Sequence, residues 1–184
     1  MPKDQPVDLN VDLREKVFEG RIWDVVRETF DYAGQKLVRD YIQHPGAVAV
    51  LAVNERDEVL MIRQYRHPVK KYLWEIPAGL LDVSGESHLA AAKRELLEET
   101  FHEAQNWDLL QVFHASPGGN SEQIDIFLAT GVTEVESDYE REGEEADMEV
   151  RWVPFSEALE AVLASEIQSP TAVIAILGYH SRRK

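Results

Sequence analysis

The chain has 184 residues, with 34 acidic against 19 basic side chains, a net charge of −15 and no cysteine. That length suits one globular domain with room for a small extra subdomain, and a hydrophobic fraction of 44% suits a packed core. The absent cysteines exclude disulfide scaffolds, thiol nucleophiles, Fe–S clusters and cysteine-ligated zinc, and the acidic balance argues against nucleic acid as a partner.

The opening MPKDQPVDLNVDLREK holds no apolar stretch of signal-peptide length. No run approaches the ~18 apolar residues of a membrane span, so a cytoplasmic protein with no membrane partner is expected. Phe18–Phe30 and Leu37–Gln43 read as short alternating strands joined by a turn at Ala33-Gly34. His44-Pro45-Gly46 breaks that pattern and sets a boundary between an N-terminal strand region, 1–45, and a main domain, 46–184. Ala47–Val53 and Val59–Tyr65, around the polar Asn54–Asp57, predict a hairpin of a central sheet. Ser84–Thr100 predicts the first strong helix, starting at Ser84 or Gly85. Strands follow at about Leu109–His114, Ile124–Ala129 and Met148–Val153. Ser156–Leu163, with Ser156 as N-cap, and Ala172–His180 predict two closing helices. This order of elements suggests an α+β arrangement, a mixed sheet covered by helices.

Arg94-Glu95-Leu96-Leu97-Glu98-Glu99 is the most informative segment. On a helix Glu95 and Glu99 lie one turn apart on one face, with Glu98 beside them. Like charges so placed destabilise a helix unless a cation gathers them, and hard divalent cations prefer carboxylate oxygen. The bland alternative is a solvated acidic face. Upstream, Trp74-Glu75-Ile76-Pro77-Ala78-Gly79-Leu80 leads from a strand into the same helix. Gly79 permits unusual dihedrals that would turn the Ala78 carbonyl towards the carboxylates, and Pro77 fixes the approach. A second acidic concentration, Glu134–Glu149, holds nine acidic residues among sixteen and a single basic one, Arg141, and its bland reading is a solvated loop. The six histidines show no metal-pair spacing, and no P-loop, dinucleotide fingerprint or serine-nucleophile elbow is present.

Gly79, Glu86 and Arg94-Glu95-Leu96-Leu97-Glu98-Glu99 together resemble the Nudix box, G-x5-E-x7-R-E-U-x-E-E-x-G-U. Arg63-Gln64-Tyr65-Arg66, Trp74–Gly79 and Ser116-Pro117-Gly118 are similar to motifs of its ADP-ribose pyrophosphatase branch. The sequence departs from the pattern in three places. One extra residue separates Gly79 from Glu86, Phe101 and His102 replace a glycine and an apolar residue, and Gly119 stands where an aromatic often follows.

The resemblance implies an α/β/α Nudix sandwich with an N-terminal strand extension that forms a homodimer. It implies Mg²⁺, or Mn²⁺, held by the Ala78 carbonyl, Glu95 and Glu99, with Glu98 shared or adjacent and counted among the catalytic residues. Glu86 and Arg94 would be the structural pair of the box, or an ordinary surface salt bridge. Arg66 would bind substrate phosphate, its fork matching phosphate oxygens, with Arg39, Glu75 and Pro117 as further substrate contacts. A glutamate of the late loop would be the general base, Glu144 first and Glu145 second. The implied activity is hydrolysis of the small-molecule nucleotide sugar ADP-ribose to AMP and ribose 5-phosphate. The alternatives are another nucleoside diphosphate sugar or dinucleotide, and a non-catalytic nucleotide-binding module of the same fold.

Overall fold

The computed structural model describes residues 1–137, 139, 141 and 147–183. The chain divides into two units, Met1–Pro45 with His114–Glu122, and Gly46–Phe113 with Gln123–Lys184.

In the first unit, alternating polar and apolar residues form an antiparallel sheet of β1 (Val11–Phe18), β2 (Asp24–Tyr32) and β3 (Gln35–Gln43), in that order. Ala33 and Gly34 both take positive φ, 50° and 78°, as a tight hairpin between right-twisted strands requires. The strand expected over Phe18–Phe30 is instead the end of one strand and most of the next. Gly20 explains the break. A Cβ there would lie 2.1 Å from the Trp23 carbonyl oxygen, so only glycine lets the chain fold back between β1 and β2. Arg27 grips Asp40 through two hydrogen bonds of 2.7 and 2.9 Å, and Lys16 meets Asp24 at 2.7 Å. Residues 114–122 attach to β3, where the Ile42 amide donates to the Gly119 carbonyl at 2.9 Å and the Ser121 amide donates to the Ile42 carbonyl at 3.0 Å.

The second unit is built around β4 (Ala47–Val53), an apolar strand buried along its whole length. Its odd-numbered residues pack with α2 (Phe155–Leu163) and α3 (Pro170–Arg182) on one face of the sheet. Val48, Val50 and Ala52 pack with α1 (His88–Thr100) on the other. A strand covered on both faces must be apolar at every position. The result is the expected α/β/α sandwich. β5 is Glu58–Arg66, and after a short 3-10 turn at His67–Val69 come β6 (Lys71–Glu75) and β7 (Ala78–Leu80). β8 (His102–His114), β9 (Gln123–Glu134) and β10 (Glu149–Pro154) complete the sheet in the order β10-β5-β4-β9-β8. It is mixed, since β4 runs parallel to β9 and antiparallel to β5.

The β4–β5 hairpin is short-lived. Val53 pairs with Val59, and the two strands then diverge. β6 fills the gap on the β5 side and β7 on the β4 side, with the Val50 amide donating to the Pro77 carbonyl at 2.8 Å. The Glu75–Leu80 stretch is therefore wedged into the fork of the central sheet, and Ile76 is fully buried there.

Several element ends differ from expectation, among them the far end of β9, which runs five residues beyond the expected Ala129. α1 starts after Ser87, whose hydroxyl accepts the Ala90 amide, because Gly85 takes a positive φ of 81° and so lies in the turn before it. α2 follows directly on Pro154, so Ser156 lies inside the helix and is not its cap. β8 begins seven residues before the expected Leu109, since its early residues are mostly polar and exposed. No described helix is long and apolar enough to cross a membrane.

Candidate active site

The helical spacing places Glu95, Glu98 and Glu99 on α1, whose buried Ala91, Ala92 and Leu96 dock it on the sheet. That docking brings the carboxylates against β7. The Ala78 amide donates to Glu99 Oε2 at 2.8 Å, and Glu99 is almost wholly buried. At Gly79 an added Cβ would lie 1.9 Å from the Glu95 carboxyl carbon. Gly79 is needed for this close approach rather than for an unusual dihedral, because its φ is not positive. The Ala78 amide thus bonds a carboxylate directly, beside the role of metal ligand that the resemblance implies for its carbonyl.

Arg94 organises the rest of the cluster. Its Nε and Nη2 donate to the two oxygens of Glu86 at 3.2 and 3.1 Å. Its Nη1 donates to Glu95 at 2.5 Å and to Glu98 at 3.1 Å. One guanidinium thus serves three carboxylates, a task for which its planar fork of donors is suited. The hydrogen bonds to Glu86 lead in raising its pKa above the ordinary arginine value, followed by the attraction of Glu95 and further bonds to Glu95 and Glu98, while partial burial opposes them. The sequence pointed to the Glu86 contact. It did not point to the Glu95 and Glu98 contacts, although Glu98 stands at i,i+4 from Arg94.

Arg66, at the end of β5, makes a bidentate pair with Glu75 at the end of β6, at 3.0 and 2.7 Å. The Glu75 carboxylate is buried and the Arg66 head is partly open to solvent, with side chains 6% and 40% exposed. Such an anchor orients the arginine from behind and leaves its outer edge towards solvent. A further pair that the sequence did not suggest lies at the start of α1, where His88 Nδ1 meets Asp125 of β9 at 2.7 Å. Arg39 and Pro117 belong to the first unit, Arg39 bonding its neighbour's carbonyl, Val38 O, at 2.8 Å. Glu144 and Glu145 lie outside the described residues.

Among the described residues, no three histidine, aspartate or glutamate side chains converge on a ready-made cation cage. The positive charge inside the cluster is that of Arg94. The donor chemistry nevertheless fits a hard divalent ion, since every side-chain donor is a carboxylate oxygen and the Gly79 cradle presses backbone directly against Glu95.

Comparison with known proteins agrees with this arrangement. Residues 43–172 match the NUDIX domain model. An ADP-ribose pyrophosphatase of Mycobacterium tuberculosis is 39% identical over 168 residues, covering 91% of this chain and 81% of that protein. A methanol dehydrogenase activator of Bacillus methanolicus is 34% identical, covering 88% of this chain and 87% of its own length. The crystal structure of an ADP compounds hydrolase shares the fold with a TM-score of 0.79 at 20% identity, covering 98% of this chain and 96% of that one. With the box residues gathered between β7 and α1 and the domain model spanning most of its length, the chain belongs to the Nudix hydrolase family.

Proposed function

We propose that the protein hydrolyses the pyrophosphate of ADP-ribose, releasing AMP and ribose 5-phosphate, with Mg²⁺ as its cofactor and Mn²⁺ as a substitute. The observation that carries this reading is the approach of the Glu95 and Glu99 carboxylates to the Gly79 and Ala78 backbone, with Glu98 tied to the same arginine as Glu95. Glu95, Glu99 and the Ala78 carbonyl would hold the cation, with Glu98 shared or adjacent. Bound there, it would neutralise pyrophosphate charge and lower the pKa of water.

Arg66, fixed by the buried Glu75, would grip a phosphate oxygen. Arg39 and Pro117 would add substrate contacts. Glu86 would hold Arg94 and thereby the register of the catalytic helix. Glu144, or else Glu145, would take a proton from the attacking water. The water oxygen then bonds to one phosphorus as the bridging P–O bond breaks, leaving each product with one phosphate.

Specificity for ADP-ribose is supported by the name of the Mycobacterium tuberculosis relative. The differently named Bacillus methanolicus relative keeps a second reading open, a different nucleoside diphosphate derivative handled by the same chemistry. The reaction takes place in the cytoplasm on a small diffusible substrate, without nucleic acid or membrane. The 1–45 region is proposed to pair two copies into a homodimer and 46–184 to be the hydrolase domain. Exposed Leu13, Phe18, Ile22 and Val38 of the N-terminal region support that pairing.

The deciding experiment measures AMP and ribose 5-phosphate formed from ADP-ribose with Mg²⁺, beside ADP-glucose, a diadenosine polyphosphate and the Glu99→Gln variant. Turnover preferring ADP-ribose and lost in the variant supports the proposal. Preference for another substrate moves the reading to that one. ADP-ribose binding without turnover at saturating Mg²⁺ assigns a binding module instead.

A further inference from the structure

The C-terminal end of α1 meets the start of the second acidic concentration, and electrostatics oppose that meeting. The end of a helix carries partial negative charge, and this one also bears Glu95, Glu98 and Glu99. In sequence, the stretch that begins there, Glu134–Glu149, has nine acidic residues among sixteen and one basic residue. Something attractive has to offset the repulsion.

Two contacts of this segment fall on Phe101. Its carbonyl accepts the Val135 amide at 2.8 Å, and the guanidinium of Arg141 lies over its ring, 4.5 Å from the centroid. Arg141 is that single basic residue. Its Nε is buried and has no hydrogen-bond partner among the described residues, so the ring is the contact seen for that part of the side chain.

Phe101 also sits where its backbone would rather have glycine. It closes α1 in the left-handed conformation, φ 59° and ψ 38°, with its amide donating to the Leu97 carbonyl at 2.8 Å. Glycine adopts that conformation without steric cost, and a residue with a Cβ does not. A side chain kept at such a position is explained by what the ring does, and here the ring receives Arg141. A π face suits this place because it attracts a cation without adding or consuming a carboxylate.

We propose that Phe101 and Arg141 are positioning residues, whose ring–guanidinium contact fixes the chain at Arg141 against the end of the catalytic helix. The inference rests on the proposed hydrolysis, in which a glutamate of the acidic segment accepts the proton from water. Anchoring would then govern the chemical step and leave substrate affinity alone.

The test is a double-mutant cycle on kcat and KM for ADP-ribose, with unfolding midpoints measured on the same proteins. Arg141→Gln and Phe101→Gly are each expected to lower kcat about three- to tenfold at unchanged KM, the size of a partly desolvated cation–π contact. The double variant should be no worse than either single one. Arg141→Lys and Phe101→Trp, which keep a cation over a ring, should restore kcat to within about twofold.

Phe101→Gly also relieves the helix end, so its midpoint should not fall even as kcat does. A raised midpoint with kcat unchanged would overturn the proposal and make Phe101 merely a poor cap. Losses in kcat that multiply in the double variant would overturn it as well. Should the wild-type protein hydrolyse no nucleotide sugar, the proposed function fails separately. The midpoints then decide the anchor, coupling between the two positions supporting it and additivity overturning it.

Discussion

The two units solve the problem of holding a sheet together in opposite ways. In the second, β4 is buried at every position and both of its faces are sealed by helices. In the first, β1 is exposed from end to end, and the sheet is laced with charge pairs such as Arg27–Asp40, Arg14–Glu28 and Lys16–Asp24. Exposed ion pairs contribute little, being screened by solvent, whereas a buried aliphatic side chain contributes about 1.5–3 kcal/mol. Cohesion therefore belongs to the second unit. The first relies on cross-strand charge pairs at its surface instead.

Matched truncations would break this comparison if it is wrong. Leu96, fully buried on the inner face of α1, should cost about 2–5 kcal/mol as Leu96→Ala, read from denaturant midpoints. Leu13→Ala, at a residue 52% exposed, should cost under about 0.5 kcal/mol when read on the unpaired chain at low protein concentration. Equal losses would mean that the N-terminal sheet carries as much of the cohesion as the core.

Gly79→Ala sharpens the point within the second unit. The new methyl would fall 1.9 Å from the Glu95 carboxyl carbon, so either the strand or the carboxylate must move. A displacement on the order of 1 Å at a catalytic group costs about 10²-fold in rate. Turnover should fall by that order while the thermal midpoint falls only modestly. A variant with full activity would show that Glu95 need not sit where the structure has it.

Arg94 offers a third, smaller effect. Arg94→Met leaves the carboxylates of Glu86, Glu95 and Glu98 without their shared cation, at a cost of about 1–3 kcal/mol. Because a divalent ion would draw on some of the same carboxylates, added Mg²⁺ should raise the midpoint of this variant more than that of the wild-type protein. Thermal denaturation with and without Mg²⁺ checks it. Equal shifts would separate the arginine cluster from the metal site.

What could be read from the sequence follows the same division. β4 was legible to the residue because a continuous apolar run bounded by Gly46 and Asn54 has few other uses. β1 was missed because its residues are exposed and leave no burial pattern to read. At the site, the register of Glu95, Glu98 and Glu99 was legible, being local to one helix. The reason for Gly79 was not, since its close approach to Glu95 exists only once α1 docks beside β7. Of the contacts of Arg94, the one to Glu86 was legible through the resemblance to the box, and those to Glu95 and Glu98 were not read, although Glu98 lies at a helical spacing. Glu86 is eight residues away through a turn whose path the spacing alone does not give, so the motif and not the geometry pointed to it.

The charge lacing of the first unit sets the smallest expected effect. Asp40 titrates below its ordinary 3.8 chiefly through its hydrogen bond to Arg27, and Asp24 below the same value through Lys16. A carboxylate whose pKa is lower in the folded state adds stability that is complete above the unfolded value and is lost as pH falls through the folded one. The N-terminal sheet should therefore hold constant protection from neutral pH down to about 4 and loosen below it. The apolar packing of β4 has no such dependence. Amide hydrogen exchange of β2 and β4, followed from pH 6 to about pH 3 and corrected for intrinsic rates, reads both regions in one sample. Selective loss of protection in β2 is the expected result. Simultaneous loss in both strands would mean that the two sheets unfold as one cooperative body, and the charge pairs would then report on the whole chain.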